Sequence, residues 1–265
     1  MTAPRRIASR QHPIVQRCRE LAAGRGDEGS VLLDGEHLIA DALRADVAID
    51  AVLGTGDHLD LMARIGQTGA EVYEGTPAVL DAASPVRATS GIVAIARWAP
   101  TDLDDAFDGS QWPAIGLVDV QDPGNVGAVI RSADAFGGAP VLALGRTAHP
   151  GGWKALRGAM GSSFRVPVSR GPADEAIRIA RRQRVRIAAT VPAGGTTIAR
   201  VDWRTPTLVL LGHEGIGLPP ELVDGADLRV TVPMRARVNS LNVAATAAVI
   251  LYEARRGDAA AGDAP

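Results

Sequence analysis

Thr207-Leu208-Val209-Leu210-Leu211-Gly212-His213-Glu214-Gly215-Ile216-Gly217-Leu218-Pro219 is the stretch on which the reading of this chain turns. Its first five residues carry no charge and show none of the polar alternation of a half-exposed strand. A strand of that kind is buried on both faces, as in a parallel sheet covered by helices. Gly212, Gly215 and Gly217 then permit positive φ or close backbone approach to a ligand, with the Glu214 carboxylate among them. The spacing is not that of a dinucleotide fingerprint, and no long helix follows at once, so a nicotinamide oxidoreductase is disfavoured. A sharp structural turn explains the glycines almost as well.

Outward from this stretch, strands and helices alternate. Strands are expected at residues 114–118, 140–144, 165–168, 185–189 and 228–232, and helices at 125–136, 155–161, 174–182, 219–223 and 241–255. The fold class is α/β, with a largely parallel sheet. Nearer the start, strands at 30–33, 49–53, 70–73 and 90–96 alternate with helices at 14–23, 35–45, 59–65 and 76–81, which indicates a smaller α/β domain. Between them, residues 98–112 carry Pro100, several aspartates and a Gly-Ser pair, and read as a linker with a surface helix at 103–107. The expected organisation is a first domain at 1–97, the linker at 98–112, a second domain at 113–256 and a flexible tail at 257–265.

Two further segments break the ordinary pattern. Asp119-Val120-Gln121-Asp122-Pro123-Gly124-Asn125-Val126-Gly127 joins a strand to a helix, where α/β proteins place ligands. Asn125 could equally be the cap of that helix. Arg131, flanked by Val129, Ile130 and Ala133, calls for an anionic or carbonyl partner if it emerges from an apolar surface. In Val232-Pro233-Met234-Arg235-Ala236-Arg237-Val238-Asn239-Ser240-Leu241-Asn242-Val243, Asn239 or Ser240 could cap the last helix, with Asn242 inside its first turn. Such amides suit an adenosine-bearing ligand, or merely lock a loop.

Composition excludes several classes. Cys18 is the only cysteine and the five histidines are scattered, so an internal disulfide and a cysteine–zinc cluster are excluded and no metal is expected. No apolar run reaches transmembrane length and the first residues lack a secretory block, so the expectation is a cytoplasmic protein without a membrane. The net charge of −2 argues against simple nucleic-acid wrapping. Yet Arg5, Arg6, Arg10, Arg17 and Arg19 cluster at the start, and Arg178 to Arg186 form a second basic stretch. Both fit RNA contact or solvated surfaces equally.

In this order, the segments resemble the SPOUT superfamily of knotted methyltransferases, and specifically its TrmH/SpoU-like branch of RNA ribose 2′-O-methyltransferases. The first family motif corresponds to residues 125–137, the second to 211–218, and the third to 232–234 with 240–243. Leu156-Arg157-Gly158-Ala159-Met160-Gly161-Ser162 resembles a recurring family segment. Residues from about 8 to 96 resemble, more loosely, a ribosomal-protein-L30e-like RNA-binding domain. His213 stands where small polar residues are common, and Ala236 where glycine is frequent.

The resemblance implies S-adenosylmethionine as cofactor, bound near Leu211, Gly212, Gly217, Val232, Met234 and Leu241. It implies a catalytic group of Arg131, Asn125, Glu214, Ser240 and Asn242, with Arg131 beside the target ribose and its phosphate. It further implies a C-terminal trefoil knot, a homodimer, and RNA as partner, rRNA ahead of tRNA, met by Arg5, Arg6, Arg10 and Arg17. The competing reading is an RNA-binding or ribosome-assembly protein that keeps the fold without the activity.

Overall fold

The computed structural model describes residues 4–107, 112–235 and 240–259. The chain divides into two compact units, residues 1–99 with 151–164, and residues 100–150 with 165–265.

The first unit opens with β1 (Arg5–Ile7), α1 (Pro13–Ala22), β2 (Ser30–Asp34), α2 (Glu36–Arg44) and β3 (Ile49–Gly54). It continues through α3 (Leu59–Gly66), β4 (Glu71–Gly75), α4 (Pro77–Ala83) and β5 (Ile92–Arg97). The sheet order is β1-β4-β3-β5-β2, with β5 antiparallel to both neighbours. One face packs Leu33, Ile39 and Ile65 into a core, and the other packs Val15, Leu32, Leu53 and Leu80. Each such side chain contributes on the order of 1.5–3 kcal/mol through burial. β1 was not foreseen: its Arg5 and Arg6 side chains are exposed, and backbone pairing to β4 makes it the edge strand of the sheet.

In chain order follow β6 (Ala114–Val118), α5 (Pro123–Ala135), β7 (Val141–Leu144), α6 (Trp153–Ala159) and β8 (Val168–Gly171). Then come α7 (Ala173–Arg182), β9 (Arg186–Thr190), β10 (Thr196–Thr197), β11 (Thr207–Leu211), α8 (Pro220–Asp224), β12 (Leu228–Thr231) and α9 (Val243–Ala259). Of these, α6 belongs to the first unit. The others build a seven-stranded sheet in the order β10-β12-β9-β11-β6-β7-β8, parallel at every pairing. All its strand ends therefore point the same way, and the loops leaving β6, β9, β11 and β12 share one edge.

Three local expectations change. The strand expected at 165–168 begins at Val168 instead, because Pro167 has no N–H to give to a ladder. The surface helix expected at 103–107 is a single 3₁₀ turn at Asp105–Phe107, and Leu103, Ala106 and Phe107 are buried in the second unit's core. Phe107 stacks on Trp112 with ring centroids 6.5 Å apart, so much of the stretch read as a linker is packed structure. The tail expected from 257 begins as a continuation of α9 to residue 259, and the remainder lies outside the described residues. No described helix is long and apolar enough to cross a membrane.

Candidate active site

The second unit carries a cavity of about 560 Å³ beyond the carboxyl ends of β9, β11 and β12. Its walls include all six residues tied to the cofactor on sequence grounds: Leu211, Gly212, Gly217, Val232, Met234 and Leu241. Glu214, Ser240 and Asn242 line it too. The volume lies within the range of small-ligand sites, and the mixture of aliphatic side chains with exposed loop backbone suits a ligand carrying a flat polar ring.

The loop after β11 is folded back on itself. Gly217 N–H donates to the His213 carbonyl at 2.9 Å, and Gly217 takes φ +74° to make the return. The His213 ring also works within the loop, its Nδ1 accepting from Gly215 N–H at 2.9 Å. Gly212 has no room for a side chain, since a Cβ there would sit 2.2 Å from the Gly217 carbonyl carbon. Two glycines thus answer two demands, close approach at 212 and a left-handed turn at 217.

A relay of amides and a carboxylate borders the cavity. Asn242 is the cap of α9: its Oδ1 accepts from Ala244 N–H at 2.8 Å and Ala245 N–H at 3.3 Å. The amide NH₂ is then left to donate to Asn125 Oδ1 at 3.0 Å. Asn125 in turn donates from Nδ2 to Glu214 Oε1 at 2.9 Å. Backbone N–H groups of Gln121 and Asp122 approach the same carboxylate at 3.4 and 3.5 Å. Burial pushes the Glu214 pKa up, but the hydrogen bonds from Asn125 and from backbone N–H groups outweigh it and hold the carboxyl below the usual range.

Both capping expectations change here. Asp122, not Asn125, caps α5, accepting from Gly124 N–H at 2.8 Å. Asn125 sits inside the first turn and is released for the relay. At the last helix Asn242 takes the cap considered for Asn239 or Ser240; Asn239, like Ala236, lies outside the described residues.

Arg131 lies on the exposed side of α5, because Val129, Ile130 and Ala133 occupy the buried face. Neighbours in sequence are not neighbours on a helix surface, so the anionic partner its flanks suggested is unnecessary. Its side chain makes no ion pair or hydrogen bond among the described residues.

Several parts of this site were not legible beforehand. Thr190, Val191, Pro192 and Ile198 wall the cavity but carry no motif. Gln121 Nε2 donates to the Asp119 and Arg146 carbonyls, and buried Thr147 Oγ1 accepts from Val120 N–H at 3.1 Å, which pins the loop before α5.

The four arginines proposed to meet RNA lie in the first unit. Arg5 pairs with Glu71 and Arg6 with Glu74, each at 3.0 Å, while their side chains stay 67% and 85% exposed. Arg10 donates to the Ala78 carbonyl at 3.2 Å, and Arg17 stands 3.9 Å from both Asp27 and Asp50. Such open pairs hold side chains only loosely. No group of three or more metal-ligating side chains occurs among the described residues.

A parallel α/β unit with its ligand cavity beyond the strand carboxyl ends, bordered by an amide–carboxylate relay, defines an α/β ligand-binding enzyme architecture. The chain belongs to the SpoU rRNA Methylase family, which it matches over residues 113–252. It is 29% identical to the 23S rRNA (guanosine(2553)-2′-O)-methyltransferase RlmP of Bacillus subtilis, over 84% of this chain and 88% of that protein. It is similar to an S-adenosylmethionine-bound rRNA methyltransferase from Sinorhizobium meliloti, with TM-score 0.87 and 30% identity over 96% of this chain and 98% of that one. It is also similar to the SpoU methyltransferase AviRb from Streptomyces viridochromogenes in complex with the same cofactor, with TM-score 0.81 and 27% identity over 94% and 99%.

Proposed function

We propose that this protein transfers the methyl group of S-adenosylmethionine to a ribose 2′-hydroxyl of RNA, and that its substrate is rRNA rather than tRNA. The observation that carries this reading is the meeting, at one sheet edge, of the cavity and the Asn242–Asn125–Glu214 relay. Relatives whose names state rRNA methylation, ribose 2′-O chemistry or bound S-adenosylmethionine support it.

The residues present fit the cofactor. Leu211, Val232, Met234 and Leu241 would enclose its adenosine between apolar surface and loop backbone, with the bare backbone of Gly212 and Gly217 allowing close contact. When bound, S-adenosylmethionine supplies a methyl group activated by its sulfonium. The chain's own task is then alignment. Glu214 holds the loop before α5 and the loop after β11 in one register, through Asn125, Gln121 and Asp122. Asn242 fixes the start of α9 to the same relay, with Ser240 at the cavity wall. Arg131 steers the ribose and its phosphate through the planar fork of its guanidinium donors. Holding the 2′-oxygen in line with the methyl supplies much of the rate. Only ribose carries that hydroxyl, so the chemistry itself selects RNA over DNA.

The first unit is an L30e-like RNA-binding domain, to which Arg5, Arg6, Arg10 and Arg17 contribute. The second unit is trefoil-knotted, and the active form is a cytoplasmic homodimer. The exposed Ala245, Val249 and Tyr252, one stripe of α9, support the dimer, since they leave apolar surface to be covered.

The test is ribose-methylation mapping of total RNA from cells with and without the gene. One rRNA 2′-O-methyl group should disappear and be restored in vitro by the pure protein with S-adenosylmethionine. An unchanged ribose map, or folded protein that does not bind the cofactor with or without rRNA, refutes the enzyme and favours a non-catalytic RNA-binding role.

A further inference from the structure

Residues 151–164 fold with the first unit, although they follow β7 in sequence. α6 buries Ala155, Leu156 and Ala159, and Leu156 joins the core beside Val31, Leu33 and Ile39. That face fixes the helix, and the opposite one presents Lys154 and Arg157 to solvent at i and i+3, with Met160 exposed at the helix end.

Three observations bear on this face. Lys154 is the only lysine among the 28 basic residues of the chain. Its ammonium lies 5.4 Å from the centroid of the Trp153 ring, a contact that leaves its N–H donors unused. Neither Lys154 nor Arg157 has an ion pair or a side-chain hydrogen bond among the described residues, so two unpartnered cations stand one turn apart on this face. Met160 is held in the left-handed region at φ +51° and is 49% exposed. That conformation ends α6, with the Met160 N–H donating to the Arg157 carbonyl at 3.3 Å, and the side chain it turns outward is left in water rather than packed in the unit.

We infer that the outer face of α6 is a contact surface for the RNA substrate. Lys154 and Arg157 each neutralise a backbone phosphate, and Met160 meets the apolar face of an unstacked base. Charge complementarity selects the occupant: two free cations flank one apolar side chain, and RNA offers closely spaced anions beside exposed base faces. The inference rests on the proposed RNA-methylating function and adds the surface that grips the substrate.

The test uses the full-length protein and fluorescein-labelled, protein-free 23S rRNA, titrated between about 50 and 200 mM salt. In Lys154→Gln/Arg157→Gln the slope of log affinity against log salt should flatten by roughly 1.4 to 1.8, two phosphate contacts' worth. S-adenosylmethionine affinity should not change. Each single variant should lose about half of that slope, and Lys154→Arg should keep it. Met160→Ser should weaken binding severalfold with the slope intact. Wild-type protein that methylates rRNA while the folded double variant binds with unchanged affinity and slope overturns this inference alone. Wild-type protein that neither binds nor methylates rRNA overturns the proposed function and the inference with it. A change in the sedimentation of the RNA-free double variant assigns the face to protein contact and also overturns the RNA assignment.

Discussion

Gly212→Ala tests the cofactor cavity through a single methyl group. The new Cβ would lie 2.2 Å from the Gly217 carbonyl carbon and 2.3 Å from the Leu218 nitrogen, where ordinary contact begins at 3.4 Å. The obstacle is backbone, so no rotamer change relieves it, and the chain at 217–218 must retreat by about 1.2 Å. That movement strains the Gly217 N–H bond to the His213 carbonyl and displaces the wall that Gly217 and Leu218 provide. Overpacking of this kind costs roughly 1–3 kcal/mol. Displacing binding groups by about an ångström is expected to weaken S-adenosylmethionine ten- to a hundredfold, or about 1.4–2.7 kcal/mol. Calorimetric titration of the full-length protein measures the affinity, with thermal unfolding in parallel. Two neighbouring glycines calibrate the result. At Gly215 a Cβ would meet only the His213 ring, at 3.6 Å, so Gly215→Ala should be nearly neutral. At Gly217 nothing crowds a Cβ but φ is +74°, so Gly217→Ala should cost about 1–2 kcal/mol in backbone strain. Folded Gly212→Ala that binds within threefold of wild type, or Gly215→Ala that loses as much, would refute the reasoning.

Arg131→Ala and Arg131→Lys should each reduce single-turnover methylation at least about a hundredfold with cofactor affinity unchanged, because both lose the planar fork; near-normal rates in folded protein remove the assignment. Glu214 titrates below the ordinary glutamate value, so its contribution to the fold is complete above about pH 4.3 and is lost as pH falls through its lower folded value. The stability difference between wild type and Glu214→Gln, followed by thermal unfolding from pH 7 to 3, should begin to close as pH falls through the ordinary glutamate value of about 4.3 and vanish below the folded value; complete closure while pH is still well above about 4.3 contradicts the relay. Val249→Glu places a charge on the exposed apolar stripe of α9 and should shift sedimentation from dimer to monomer without unfolding, whereas an unchanged dimer moves the interface elsewhere.

The sequence by itself determined what short-range physics controls. Uninterrupted apolar runs such as Thr207–Leu211 announced buried parallel strands, and the loops at their ends announced where a ligand would sit, since strand period and helix period act over a few residues. The loops that wall the cavity were legible for the same reason, because glycine spacing and a strand before it are local features.

Only the tertiary structure decided the partners. Asn125 reaches Glu214 across 89 residues of chain and Asn242 across 117, so its role in a relay rather than a cap follows from sheet order, which brings the ends of β6 and β11 together. Whether Arg131 was paired depended on which face of α5 the sheet and α9 covered. The placement of residues 151–164 with the first unit, and the pairing of Arg5 and Arg6 with β4, are likewise settled by long-range packing. Local propensity carries no record of such contacts, because the free energy that selects them arises only when the whole core is assembled.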